Sequence, residues 1–172
     1  MNAKDIKSKL RSYGIGGFFG SGIRLFDKNY DIISFIEMDR MVSSAMGKLA
    51  KEGLDPYSDY SESIADCDNW SMWIQSEVTK AWALKMKHGN ALAFGRCLVT
   101  GHDLNIGVTE SGIKIWNYGQ LTVWDLKKLK RSNSNEENIN SIRRHYVWVC
   151  WTKFNRYSGS SSTTAAPSLY RC

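Results

Sequence analysis

The chain has 172 residues, 42% of them hydrophobic and 12% aromatic, with 23 Lys and Arg against 17 Asp and Glu for a net charge of +6. That length suits one domain with a sizeable core, and the seven Trp exclude a chain that is disordered throughout. The positive balance suits an anionic partner, nucleic acid or a cell-wall polymer, and serves equally well for solubility.

Four cysteines, Cys67, Cys97, Cys150 and Cys172, show no C-x-x-C spacing and no histidine at zinc-ligand distance in sequence. No metal and no cofactor is expected on that pattern, and a reduced, cytoplasmic setting is the simplest reading. Met1 to Tyr13 carries Lys4, Lys7, Lys9 and Arg11 among isolated apolar residues, so no secretory leader is expected. No run approaches the roughly 18 apolar residues of a membrane span.

Residues 2–12 predict a short helix with Ile6 and Leu10 on one face. Gly14, Gly16, Gly17, Gly20 and Gly22 then interrupt regular structure. With no G-K-[S/T] after them, they read as a site of close backbone approach or a mobile arm rather than a phosphate loop. Residues 30–36 read as a buried connection into a helix from about Glu37 to Glu52, where Met38, Met41, Val42, Ala45, Met46 and Leu49 recur at helical spacing and Gly53 stops the run. A polar approach with Pro56 leads to the longest helical pattern, Cys67 to about Lys87. Its stripe is Trp70, Ile74, Val78, Ala81, Trp82 and Lys85, its stop is Gly89-Asn90, and Asp66 or Asp68 stands at its amino end.

Beyond Asn90 the period changes from helical to alternating. It predicts strands at about Leu92 to Thr100, His102 to Thr109, Ile113 to Tyr118 and Tyr146 to Phe154. Helices first and an antiparallel sheet afterwards is the pattern of an α+β fold. Residues 1–157 read as a single domain, and 158–172, rich in Ser and Thr, as a low-complexity tail.

The chemistry-bearing residues fall in the order Cys67, His102, Asn117. A thiol attacks as its thiolate, and backbone N–H groups at a helix amino end favour that anion. An imidazole is the second requirement, as proton shuttle. Of the three histidines, His88 lies at the far end of the same helix, about 30 Å away, and His145 sits in an Arg-Arg-His run, which leaves His102. The third requirement is a group that holds the imidazole. The link Glu110-Ser111-Gly112 is short enough only for a hairpin. With a two- or four-residue turn, 108 faces 113, 106 faces 115 and 104 faces 117. His102 and Asn117 are then diagonal neighbours on one face, about 7 to 8 Å apart at the backbone. A three-residue turn sends Asn117 to the opposite face. Asp103 and Asn105 fall on the other face of the His102 strand and are weaker orienters.

A helix opening on Cys67, followed by Gly101-His102-Asp103-Leu104-Asn105 and Gly112-Ile113-Lys114-Ile115-Trp116-Asn117, resembles the papain-like cysteine peptidase superfamily. Within it, the arrangement is most similar to the compact type seen as the carboxy-terminal domain of the fairy-ring mushroom agglutinin and its bacterial and phage relatives. The resemblance covers about Asp66 to Gln120. It implies amino-terminal helices with the nucleophile helix packed on a small antiparallel sheet, and hydrolysis of an amide bond in a peptide, protein or cell-wall cross-link. Cys67 matches the nucleophile, His102 the base and Asn117 the orienter. Such enzymes commonly place a Gln before the cysteine to donate to the oxyanion, but the only Gln here are Gln75 and Gln120. Either the Cys67 N–H with Tyr60 or Ser61 takes that role, or the scaffold serves a non-catalytic protein partner, as in a phage-type accessory or inhibitor protein. A further alternative is nucleic-acid binding through Lys127, Lys128, Lys130, Arg131, Arg143 and Arg144 beside Trp124 and Tyr146.

Overall fold

The computed structural model describes residues 1–15, 22–54, 66–87, 89–99, 102–118, 122–125 and 148–151, and among these described residues it has three capped helices and eight strands. The glycine-rich segment 16–21, the approach at 55–65, the basic run at 127–131, Arg143 and Arg144, and the tail 158–172 lie outside the described residues.

Each helix starts where a short polar side chain replaces a missing carbonyl, a contact typically worth about 1 kcal/mol. Helix α1 (Ala3–Ser12) begins under Asn2, whose side chain accepts the Asp5 N–H at 2.9 Å, and it buries Ile6 and Leu10 completely. Helix α2 (Phe35–Lys51) begins two residues ahead of the sequence expectation. Ser34 caps it by accepting the Glu37 N–H at 3.2 Å, the first half of a Ser-x-x-Glu start that the apolar period alone does not reveal. Past its end, Gly53 takes φ +88° and the chain turns away. Helix α3 (Cys67–Met86) begins under Asp66, which accepts the Asn69 N–H at 3.4 Å. It stops at Lys87, itself at φ 49°, ahead of the expected Gly89.

The strands are β1 (Ile23–Leu25), β2 (Tyr30–Asp31), β3 (Ala91–Leu92), β4 (Phe94–Val99), β5 (His102–Thr109), β6 (Gly112–Asn117), β7 (Thr122–Asp125) and β8 (Trp148–Trp151). Six of them form one sheet in the order β1-β8-β4-β5-β6-β7, and β2 and β3 pair separately. The expected sheet was antiparallel. In fact β1 and β8 run parallel, as do β2 and β3, so the sheet is mixed. The reason is connection length: hairpins force β4 to β7 antiparallel, whereas β1 and β8 are separated by most of the chain and nothing local sets their direction. β1, β2 and β7 are two to four residues long, too short to carry a readable alternation.

Both faces of the central strands are covered. On one side Leu104, Ile106 and Val108 of β5 join Ile113 and Ile115 of β6 against Ile6 and Leu10 of α1. On the other, Phe94, Trp116 and Tyr118 join Met38 and Val42 of α2 and Trp70, Ile74 and Val78 of α3. The domain is thus an α+β fold in three layers, with α3 laid on the sheet. At about 1.5–3 kcal/mol for each large side chain fully removed from water, the second cluster dominates what holds α3 in place.

Candidate active site

The β5–β6 hairpin turns through Glu110 and Ser111, with Thr109 opposite Gly112, Val108 opposite Ile113 and Ile106 opposite Ile115. This is the register of a two-residue turn. Gly112 stands at φ +133°, and Thr109 closes the turn by donating its hydroxyl to the Gly112 carbonyl at 2.8 Å. The paired ladder ends at Asn105 and Trp116, which leaves the other end of the hairpin open.

That opening is where α3 begins. Along an antiparallel strand the N–H groups point alternately to the two neighbours. Val108 donates to Ala93, on the β4 side; Asp103, of opposite parity, therefore aims its N–H toward β6, past the last paired residue. Cys67 takes that donor, its Sγ lying 3.3 Å from Asp103 N. Because His102 carries the other half of the same peptide unit, its Cα lies within about 6 Å of the sulfur. Cys67 is half-buried and unoxidised.

Asn117 ends β6 and is 4% exposed. The register sets it opposite Leu104, so it shares strand parity with position 102, the diagonal relation that a two-residue turn implies. That parity belongs to the α1 face, whereas α3 covers the Asp103 and Asn105 face. Positions 102 and 117 thus belong by parity to the face opposite α3, Cys67 reaches the end of β5 at the Asp103 N–H, and Asp103 and Asn105 lie directly beneath the first turns of α3. For His102 the description extends to the backbone.

Under α3 lies a polar seam. Cys67, Ser71, Gln75 and Thr79 follow one another a turn apart, the last three buried. Asn105, fully buried, donates to the carbonyls of Ser71 at 3.0 Å and Gly95 at 3.1 Å, and accepts from the Tyr118 hydroxyl. Asp103 is 2% exposed, and its Oδ2 accepts from Arg96 Nε at 2.8 Å and from Arg96 Nη2. Burial raises the Asp103 carboxyl above the usual range, with the Arg96 hydrogen bonds and charge pulling the other way. Its Oδ1 is buried without a hydrogen bond among the described residues. The Ser71 hydroxyl, close enough to favour the Asp103 anion, donates instead to the Asp68 carbonyl at 3.2 Å. Burial, with the charges of Asp103 and Asp39, pushes the Tyr118 phenol well above its ordinary value.

Cys97 points into the α1-side core at 0% exposure, and burial with the Asp103 charge pushes its thiol far up. It is no nucleophile. At the amino end of α3, Asp66 occupies the N–H groups of Asn69 and Trp70; those of Cys67 and Asp68 have no carbonyl in their own helix to donate to. These two backbone donors belong to the thiol's own residue and the next one along the helix. Tyr60 and Ser61, His88 and His145, and the basic run proposed for nucleic acid lie outside the described residues. Among the described residues no group of three His, Cys, Asp or Glu could hold a metal ion, and no helix is long and apolar enough to cross a membrane.

Sequence reasoning set Asp103 aside and did not single out Arg96, Ser71 or Tyr118. The available signals were the polar row at four-residue spacing from Cys67 and the alternation of Asp103 and Asn105 through an otherwise apolar strand. Comparison of the chain with protein-family models, curated proteins and solved structures gives no match.

Proposed function

We propose that the protein is a cysteine hydrolase of papain-like type acting on an amide bond, with Cys67 as nucleophile, His102 as general base and acid, and Asn117 as the group that orients His102. The observation that carries this reading is the Cys67 sulfur accepting the Asp103 N–H at 3.3 Å, which seats a helix-start thiol against the peptide unit of His102. The hairpin register supports the Asn117 role, since it keeps positions 102 and 117 on one face.

In this reading His102 takes the Cys67 proton, and the thiolate forms a bond to the substrate carbonyl carbon while the carbonyl oxygen gains the electron pair. The N–H groups of Cys67 and Asp68 face that oxyanion, in the place a Gln fills in papain-like enzymes. Collapse breaks the C–N bond, and His102 gives its proton to the departing amine. Water, deprotonated by His102, then cleaves the thioester and restores the thiol.

The test is alkylation of Cys67 by iodoacetamide between pH 5 and 9, located by mass spectrometry, alongside cleavage of labelled casein and of a cross-linked muropeptide. Labelling at pH 6 faster than that of free cysteine, with cleavage abolished in Cys67→Ala and His102→Ala, is the expected result. Labelling no faster than free cysteine overturns the reading.

A further inference from the structure

We infer that the Arg96–Asp103 pair is a positioning device of the Cys67 thiol: added to the β4 ladder, it steadies the peptide between His102 and Asp103 so that its N–H stays aimed at the sulfur. The inference rests on the reading of Cys67 as the nucleophile and names the residues that tune it.

Three observations lead there. First, the Asp103 N–H lies past the last β5–β6 pair, so no strand partner fixes that peptide from the β6 side. On its other side the peptide is carried by the β4 ladder, with Val99 opposite His102 and Leu98 opposite Asp103, and the Asp103 side chain, tied through Oδ2 to Arg96 of that strand, adds a second tie. Second, the pair is a poor stabiliser. Asp103 is 2% exposed beside a half-buried Arg96, its Oδ1 has no hydrogen bond among the described residues, and such a largely desolvated ion pair contributes little net, so that apolar residues of similar size would hold the fold about as well. Third, the pair sits where β5 donates to Cys67, with Ser71 of α3 beside it and the Tyr118–Asn105 bond closing the β6 side.

Two effects of Asp103 on the thiol have opposite signs, which makes the inference testable. An aimed N–H favours the thiolate, because it donates to the anion; the carboxylate charge nearby disfavours it. Positioning requires the first effect to win.

The experiment measures the pH midpoint of Cys67 alkylation in the wild type, Asp103→Asn, Arg96→Lys and the paired apolar replacement Arg96→Met with Asp103→Leu, with thermal unfolding of each. The apolar pair keeps the fold when a single change fails, since neither charge is left alone. Expected is a melting temperature for the apolar pair close to the wild type and a labelling midpoint raised by about one pH unit, that is, about tenfold slower labelling below it. Arg96→Lys, which keeps the charge and loses the fork, falls between. An unchanged midpoint in the apolar pair shows that Arg96 and Asp103 only fill space, and a lowered midpoint shows that the field of the carboxylate dominates; either overturns the inference. Failure of the hydrolase reading is separate, because it is read in the wild type alone, against free cysteine.

Discussion

The N–H of Asp103 and the sulfur of Cys67, 3.3 Å apart, join the amino end of α3 to the open end of the β5–β6 hairpin. One hydrogen bond thus connects the helix that supplies the thiol to the strand that begins with His102, and its surroundings make the following outcomes measurable.

Cys67 and Cys97 differ in access and in environment. Cys67 is half-buried at a helix start, whereas Cys97 is sealed in the α1-side core with its thiol pushed up by burial. Native iodoacetamide labelling should modify Cys67 first, with Cys97 slower by on the order of a hundredfold or more and released only on unfolding. Peptide mapping before and after urea checks this. Equal rates would mean that the α1 layer opens readily.

Asn105 ties three elements together, through Ser71 of α3, Gly95 of β4 and Tyr118 after β6. Asn105→Leu strands the Tyr118 hydroxyl and removes the two side-chain bonds to carbonyls that keep their helix and ladder partners, and should cost about 2–3 kcal/mol by urea unfolding. Tyr118→Phe should cost less, and the double variant should fall short of the sum, because both single changes break the same bond.

The raised phenol of Tyr118 predicts alkaline sensitivity. The unfolded tyrosine ionises near pH 10 while the folded one keeps its proton, so this stabilisation is complete below about pH 10 and is lost as pH climbs through the folded value. Tyr118→Phe should flatten the fall in stability above pH 10 relative to the wild type.

Asp103 has the same sign at acid pH. Its carboxyl is raised by burial against the pull of Arg96, so the folded state holds the proton more tightly than the unfolded chain. Its contribution is complete below about pH 4 and is lost as pH rises through the folded value. The stability of the wild type relative to Asp103→Asn should therefore decline from pH 4 upward. A relative gain over that range would show that Arg96, not burial, governs the carboxyl.

Two glycines separate packing from helix propensity. A Cβ on Gly107 of β5 would lie 2.2 Å from Met38 Sδ and 3.0 Å from the Trp116 ring, both buried. Gly107→Ala should destabilise by about 1–3 kcal/mol. Gly47, within α2, has nothing within 4 Å of such a carbon, and Gly47→Ala should stabilise by up to about 1 kcal/mol. Thermal melts of the two should move in opposite directions.

Much of the architecture was legible because it is local. The spacing of Ile6 and Leu10 marks α1, Trp70 to Trp82 marks α3, and the Glu110-Ser111 turn determines which residues of β5 and β6 oppose each other. A period of 3.6 or 2, and the number of residues in a tight turn, are properties of a few consecutive residues. From these the order Cys67, His102, Asn117 could be read directly, and the shared parity of positions 102 and 117 followed once the structure showed a two-residue turn.

What only the tertiary structure decided is the face on which α3 lies and where the hairpin ladder stops. The alternation of β5 divides its residues into two sets and does not say which set meets the helix; both sets are buried, one under α1 and the other under α2 and α3. The placement of α3 turned Asp103 and Asn105 from bystanders into the polar seam beneath Cys67, and brought Arg96 and Tyr118 to it from separate elements. The parallel pairing of β1 with β8 was equally closed to sequence reasoning. Contacts between distant segments follow from how whole faces fill space against one another, and no local period records that choice.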